Sequence, residues 1–433
     1  NRFNAEMVRF LRKEIGAKQL INAGNWKTSP HVHLNDAERY SFTASEVIGV
    51  NRYYGGKHEG EASNWAILDG QHFTDPSVLF NPRSLPTNLK QVAGHPMIIS
   101  ESSWVPPVSY QSEGPFLVSL FQSLTGVDGF YWFTSSEPQW RQPSSANRFR
   151  PSLGKWVIDT PEILGNFPAA ALMYRKGYIQ QGTPVIQEHR RLDEIWQRRS
   201  PLIAEEPTFD PNRDRVFAQP RANSSAPINP LAFLVGPVEV SYAPTTDQGT
   251  DQSKITDISP YIDESQQHIR SNTGEIEWAY GQGICTLNAP KVQGVTGFLK
   301  AYGQLELNEI SIDSQNTYAT VIVISMDDEA IATSKKLLVQ VGTRTRSTGW
   351  EQRAISWPDE DGTTHDGFEI LNYGEAPWRV ENTDVTLAIQ NPNLTTALLL
   401  DMNGMIQREI ALENNGTQQI VHLPHNAKYM VLQ

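Results

Sequence analysis

The chain has a single cysteine, Cys285, in 433 residues. That excludes an intrachain disulfide and any zinc or iron–sulfur site built from several thiolates. No apolar run reaches the roughly 18 residues needed to cross a bilayer. Positive charge is short as well. Lys and Arg number 36 against 48 Asp and Glu, a formal net charge of −12. Nucleic acid and anionic membranes are held by clustered positive charge, so neither is an expected partner. The chain contains no G-x-S-x-G elbow, no P-loop, no H-E-x-x-H and no dinucleotide glycine fingerprint. It also has no internal repeat and no low-complexity tract. No basic segment followed by an apolar one opens the chain.

What remains is the composition of an ordered protein, 39% hydrophobic, 9% aromatic and 19% charged. At roughly 150 residues per domain its length accommodates about three domains. Phe3, Met7, Phe10 and Leu11 recur at helical spacing, and Gly16 is placed to stop that helix. Strands are expected over 19–23, 47–50, 96–100 and 127–133. Helices are expected over 36–41, 85–93, 114–124 and 161–180.

Such alternation predicts α/β architecture with parallel strands. A (β/α)8 TIM barrel needs eight such units in about 250 residues. The pattern supplies four, so residues 1–182 read as the C-terminal half of a barrel, and Asn1 as a start inside a domain. Residues 183–229 combine short extended and helical pieces with a Pro-, Asn- and Ser-rich stretch, the composition of a linker. Short strand patterns separated by turn residues follow to the end. They predict one or two β-sandwich-like modules, over 230–345 and 346–433. The expected fold class is therefore α/β plus all-β.

Glu101 ends an apolar strand and is followed by Ser102, Ser103 and Trp104. A carboxylate at the carboxyl end of a barrel strand is held rigidly and faces the pocket, which suits a nucleophile attacking a sugar carbon. A solvated glutamate is the plainer alternative. Tyr53 and Tyr54 end the preceding strand, where a hydroxyl can orient that carboxylate. Trp132, Trp26 and Trp104 are candidate platforms for the C–H face of a sugar, against ordinary packing. Asn25 offers hydrogen bonds to hydroxyls, and Glu137 is placed to line a subsite. His31, His33 and Asp36 make a loose set with no strong metal signature, so no metal and no cofactor are expected. Cys285, among apolar neighbours, reads as a buried thiol.

Together the segments LINAGNW (20–26), VIGVNRYYGG (47–56), PMIISESSW (96–104) and GFYWF (129–133) resemble the fifth to eighth strands of clan A glycoside hydrolases. The resemblance covers about the first 180 residues and implies retaining hydrolysis of a β-linked poly- or oligosaccharide, of galactan, mannan or glucan type. Glu101 would be the nucleophile. The acid/base carboxylate of that clan follows an Asn at the end of the fourth strand, which here would precede Asn1. Asn308-Glu309 lies deep in the β region and does not qualify. The resemblance thus implies a missing N-terminal half-barrel, in the same polypeptide or a separate chain. A sugar polymer as substrate suits a secreted or periplasmic protein. The alternatives are a non-catalytic carbohydrate-binding protein on a barrel scaffold and a lyase or isomerase using Glu101 as a base.

Overall fold

The computed structural model describes residues 1–26, 31–135, 151–206, 226–244 and 252–433. Strands hold 36% of the residues and helices 19%, so the chain is β-rich and is not a complete barrel of alternating strands and helices.

The helix Arg2–Phe10 continues through a wider turn, Leu11–Ile15, and stops at Gly16 with φ +73°. Phe3, Phe10 and Ile15 on it are exposed. Three parallel strands follow in chain order across one sheet: Ile48–Asn51, Met97–Ser102 and Gly129–Trp132. The strand expected over 19–23 is reduced to one parallel bridge, Asn22 to Val47, which extends the same order. One face of this sheet is apolar. Ile48, Val50, Met97 and Ile99 pack with Leu89, Val92 and Val240. Asn51 and Ser100 meet on the sheet through a side-chain hydrogen bond of 2.9 Å. The helices His31–Phe42, Glu113–Thr125 and Phe167–Lys176 lie between and after the strands.

Two expectations change here. No helix forms over 85–93. Leu85 is extended because it precedes Pro86, and Gln91–Val92 is a strand, parallel to Val238–Ala243. The helix expected over 161–180 shortens to Phe167–Lys176, which takes Pro168 in its first turn and ends at Gly177 with φ +62°.

Of the stretch expected to be a linker, residues 183–206 and 226–229 are built into the fold, and 207–225 lie outside the described residues. Ile186–Arg191 pairs in parallel with Val238–Ala243 along its whole length. Beside that sheet lies a buried charge network. Lys90 Nζ meets Asp36 at 2.9 Å and Glu188 at 3.0 Å, and Arg190 meets Asp36 at 2.6 Å. Glu205 takes Arg39 at 2.7 Å and Arg52 at 2.6 Å. Burial alone would raise the Asp36 carboxyl, but Lys90 and Arg190 hold it below the usual range.

Most of the last 180 residues form a ten-stranded and a five-stranded antiparallel sheet, while Thr345–Thr348 with Glu375–Val380 and Glu351–Pro358 with Thr364–Asn372 pair outside them. The boundary drawn at 345 falls inside this unit, because Leu337–Gly342 pairs with Tyr429–Leu432. Alternate residues of Ala319–Ser325 serve two cores. Ala319, Val321 and Val323 pack with Leu387, Ile389 and Leu399 between the sheets. Ile322 and Ile324 join Phe116, Leu120 and Phe121 of the helix Glu113–Thr125. The central strands are thus buried on both faces. Cys285 lies in this second core, with burial pushing its thiol well up.

Candidate active site

Met97–Ser102 brings Glu101 to its carboxyl end, where the register slips against both neighbours, between Val50 and Asn51 and between Ile99 and Ser102. Such irregularities re-aim side chains. The Glu101 side chain is half-buried. Tyr53 Oη donates to Glu101 Oε2 at 2.6 Å, and Arg52 N donates to the Glu101 carbonyl at 3.0 Å. Tyr53 is buried and held edge-on by Trp156, with ring centroids 5.1 Å apart, and by Phe133 at 6.4 Å. Trp156 is fixed in turn by Nε1, which donates to the Asn64 carbonyl at 2.9 Å.

Asn25 comes to the same end of the sheet, its carbonyl accepting from Asn51 N at 3.0 Å. Trp26 follows it with half its surface exposed. The buried Asn51 side chain accepts from Ser100 Oγ, while its Nδ2 has no partner among the described residues. Asn25, Tyr53 and Glu101 are therefore assembled at one end of the parallel strands. An orienting phenol and a fixed, half-buried carboxylate at a strand end suit a hydroxylated ligand.

The other candidates lie elsewhere. Consecutive residues of an extended chain point to opposite sides, so Tyr54 turns away from Tyr53. It packs 5.6 Å from Trp104, which is fully buried. Burial raises the Tyr54 phenol well above its usual range. Trp104 Nε1 donates to Glu113 Oε1 at 3.0 Å. A Cβ on Gly114 would come 2.8 Å from the Trp104 ring, so the helix rests on this indole only because that position is glycine. Trp132 packs on Phe130 at 4.9 Å, Phe167 at 5.4 Å and Trp104 at 6.0 Å. Tyr54, Trp104 and Trp132 thus belong to the packing behind the sheet rather than to a sugar platform beside Glu101. Glu137 lies outside the described residues. Asp36 of the loose His/Asp set is engaged by Lys90 and Arg190.

No protein-family model, curated protein or solved structure matches the chain.

Trp156 was not anticipated. It lies 55 residues beyond Glu101 in sequence, in a segment with no periodic pattern, and reaches Tyr53 only through folding. Its neighbour Lys155 is buried and donates from Nζ to the Ser63 carbonyl at 2.6 Å, tying this segment to the loop that follows Tyr54. That loop is braced from the β region. Phe73 pairs with Phe368, and Trp357 Nε1 donates to Glu59 Oε2 at 2.8 Å.

Proposed function

We propose that this chain carries the nucleophile side of a retaining glycoside hydrolase acting on a β-linked poly- or oligosaccharide, with Glu101 as nucleophile. The supporting observation is the Tyr53–Glu101 hydrogen bond at the carboxyl end of a parallel strand. Four neighbours in chain order, Asn22, Ile48–Asn51, Met97–Ser102 and Gly129–Trp132, agree with the second half of a (β/α)8 barrel.

In this reading Glu101 attacks the anomeric carbon, forming a C–O ester bond as the glycosidic C–O bond breaks. The leaving oxygen takes its proton from a second carboxyl group about 5–5.5 Å from Glu101. Water then attacks the ester and returns a sugar of retained configuration. Tyr53 holds the attacking oxygen in line.

The test uses 2-deoxy-2-fluoro-β-glycosyl fluorides of the gluco, galacto and manno series. Fluoride leaves without proton assistance, so the labelling reports on the nucleophile alone. Mass spectrometry should find the fluorosugar esterified to the peptide containing Glu101 in the native chain, with none in Glu101→Gln. An adduct on another carboxylate, or labelling that survives Glu101→Gln, sinks the assignment. Sugar binding without any adduct favours the non-catalytic alternative.

A further inference from the structure

The chain is strongly acidic, yet three arginines gather on one two-stranded ribbon. Thr345–Thr348 pairs antiparallel with Glu375–Val380, and in that register Arg346 stands directly opposite Arg379. Directly paired residues share a face, and like charges in that position are destabilising. Arg344 and Glu381 flank the pair and satisfy each other at 2.9 Å. The same four side chains line a cleft of about 650 Å3, which also takes in Asp75, Tyr110, Trp350, Gln352 and Phe368.

The compensation is incomplete. Asp75 lies 3.7 Å from Arg346, but its oxygens are already taken by Ser109 N at 2.6 Å and Ser109 Oγ at 2.5 Å. The Arg379 side chain has no ion pair or hydrogen bond among the described residues. The lining holds three cations against two carboxylates, which leaves one positive charge open to the cleft. Arg346 is already in place, stacked 4.7 Å over the Trp350 ring and donating to Ser109 Oγ. A guanidinium fixed in this way loses little freedom when it takes up a carboxylate.

The rest of the wall suits a hydroxylated ring. Tyr110 and Phe368 supply flat apolar surface. Tyr110 Oη and Gln352 Nε2 have no hydrogen-bond partner among the described residues, since Gln352 uses only Oε1, accepting from Trp350 Nε1 at 2.7 Å. The volume falls in the ordinary range of small-molecule sites.

We propose that this cleft is a binding site for a carboxylated sugar, a uronic acid unit, whose carboxylate bridges Arg346 and Arg379. The site does not involve Glu101 and does not depend on the glycosidase reading.

Isothermal titration of the full chain with methyl β-D-glucuronide, methyl β-D-glucoside and inorganic phosphate tests it. The glucuronide should bind at least about tenfold more tightly than the glucoside. Arg379→Ala should remove that advantage without lowering the melting temperature, because Arg379 is exposed, holds nothing together and repels Arg346. Equal affinity for the charged and neutral sugars, or glucuronide binding that survives Arg379→Ala, overturns the proposal. Phosphate binding as tight as the glucuronide's overturns the saccharide assignment.

Discussion

Tyr53 and Tyr54 are chemically identical neighbours, yet one meets Glu101 and the other packs on Trp104. Removing the Tyr53 hydroxyl deletes a hydrogen bond to a charged group, worth about 1.5–3 kcal/mol. Tyr53→Phe should therefore slow fluorosugar labelling of Glu101 roughly ten- to hundredfold. The loss should fall on the rate of the chemical step, with apparent sugar affinity little changed. A loss confined to affinity would mean that Tyr53 binds sugar rather than positions the carboxylate. Glu113 has a different task. It is buried at the start of Glu113–Thr125 and accepts from Ser77 Oγ, Val78 N and Trp104 Nε1. Burial nevertheless pushes it up to about 8. Between the ordinary carboxyl value of 4.5 and about 8 the folded chain keeps a proton that the unfolded chain releases. Its contribution to stability is present below that window and is lost as pH rises through it. Glu162, also raised to about 8 by burial, acts in the same direction. Urea midpoints measured from pH 5 to 9 should fall less steeply for Glu113→Gln than for the native chain. An unchanged slope would rule out a proton held by Glu113.

At the level of elements, the segment 183–206 shows how composition misleads. It reads as part of a linker, but Glu188, Arg190 and Glu205 are buried against partners from three other segments. Glu205 has no exposed side-chain surface and carries both Arg39 and Arg52. Glu205→Ala would leave two guanidinium groups in the interior without their carboxylate, a loss of about 3–5 kcal/mol. Chemical denaturation should show it directly, and a change under about 1 kcal/mol would mean that water has replaced the carboxylate. Arg52 adjoins Tyr53, so the same network anchors the end of the strand that presents the phenol to Glu101. The hairpin made by Glu351–Pro358 and Thr364–Asn372 has a comparable role from the other side. It pairs with His72–Phe73 and so braces the loop tied to Lys155 and Trp156.

On the scale of the whole molecule, the α/β part and the β region share a core. Phe116, Leu120 and Phe121 pack with Ile322, Ile324 and Leu338, and Trp278 Nε1 donates to the Leu79 carbonyl at 3.0 Å. Parts joined by a continuous apolar core unfold together. Scanning calorimetry should show one transition, and Ile322→Ala should lower it as a unit, at a cost of about 2–5 kcal/mol. Two separate transitions, with only one moved by Ile322→Ala, would contradict the shared core.

Much of the local structure follows from short-range rules. Gly16 and Gly177 stop their helices because only glycine adopts positive φ without strain. The apolar runs at 48–50 and 97–99 make strands, and Glu101, at the carboxyl end of Met97–Ser102, was bound to stand at a strand end. Alternation also predicts that adjacent tyrosines diverge, but not which one meets the carboxylate. That choice depends on the register slips at Asn51 and Ser102 and on where Trp156 arrives from a distant segment. The same holds for the charges of 183–206 and for the paired Arg346 and Arg379. Their meaning lies in which residue stands opposite, and opposition across strands is set by long-range pairing that no local pattern encodes.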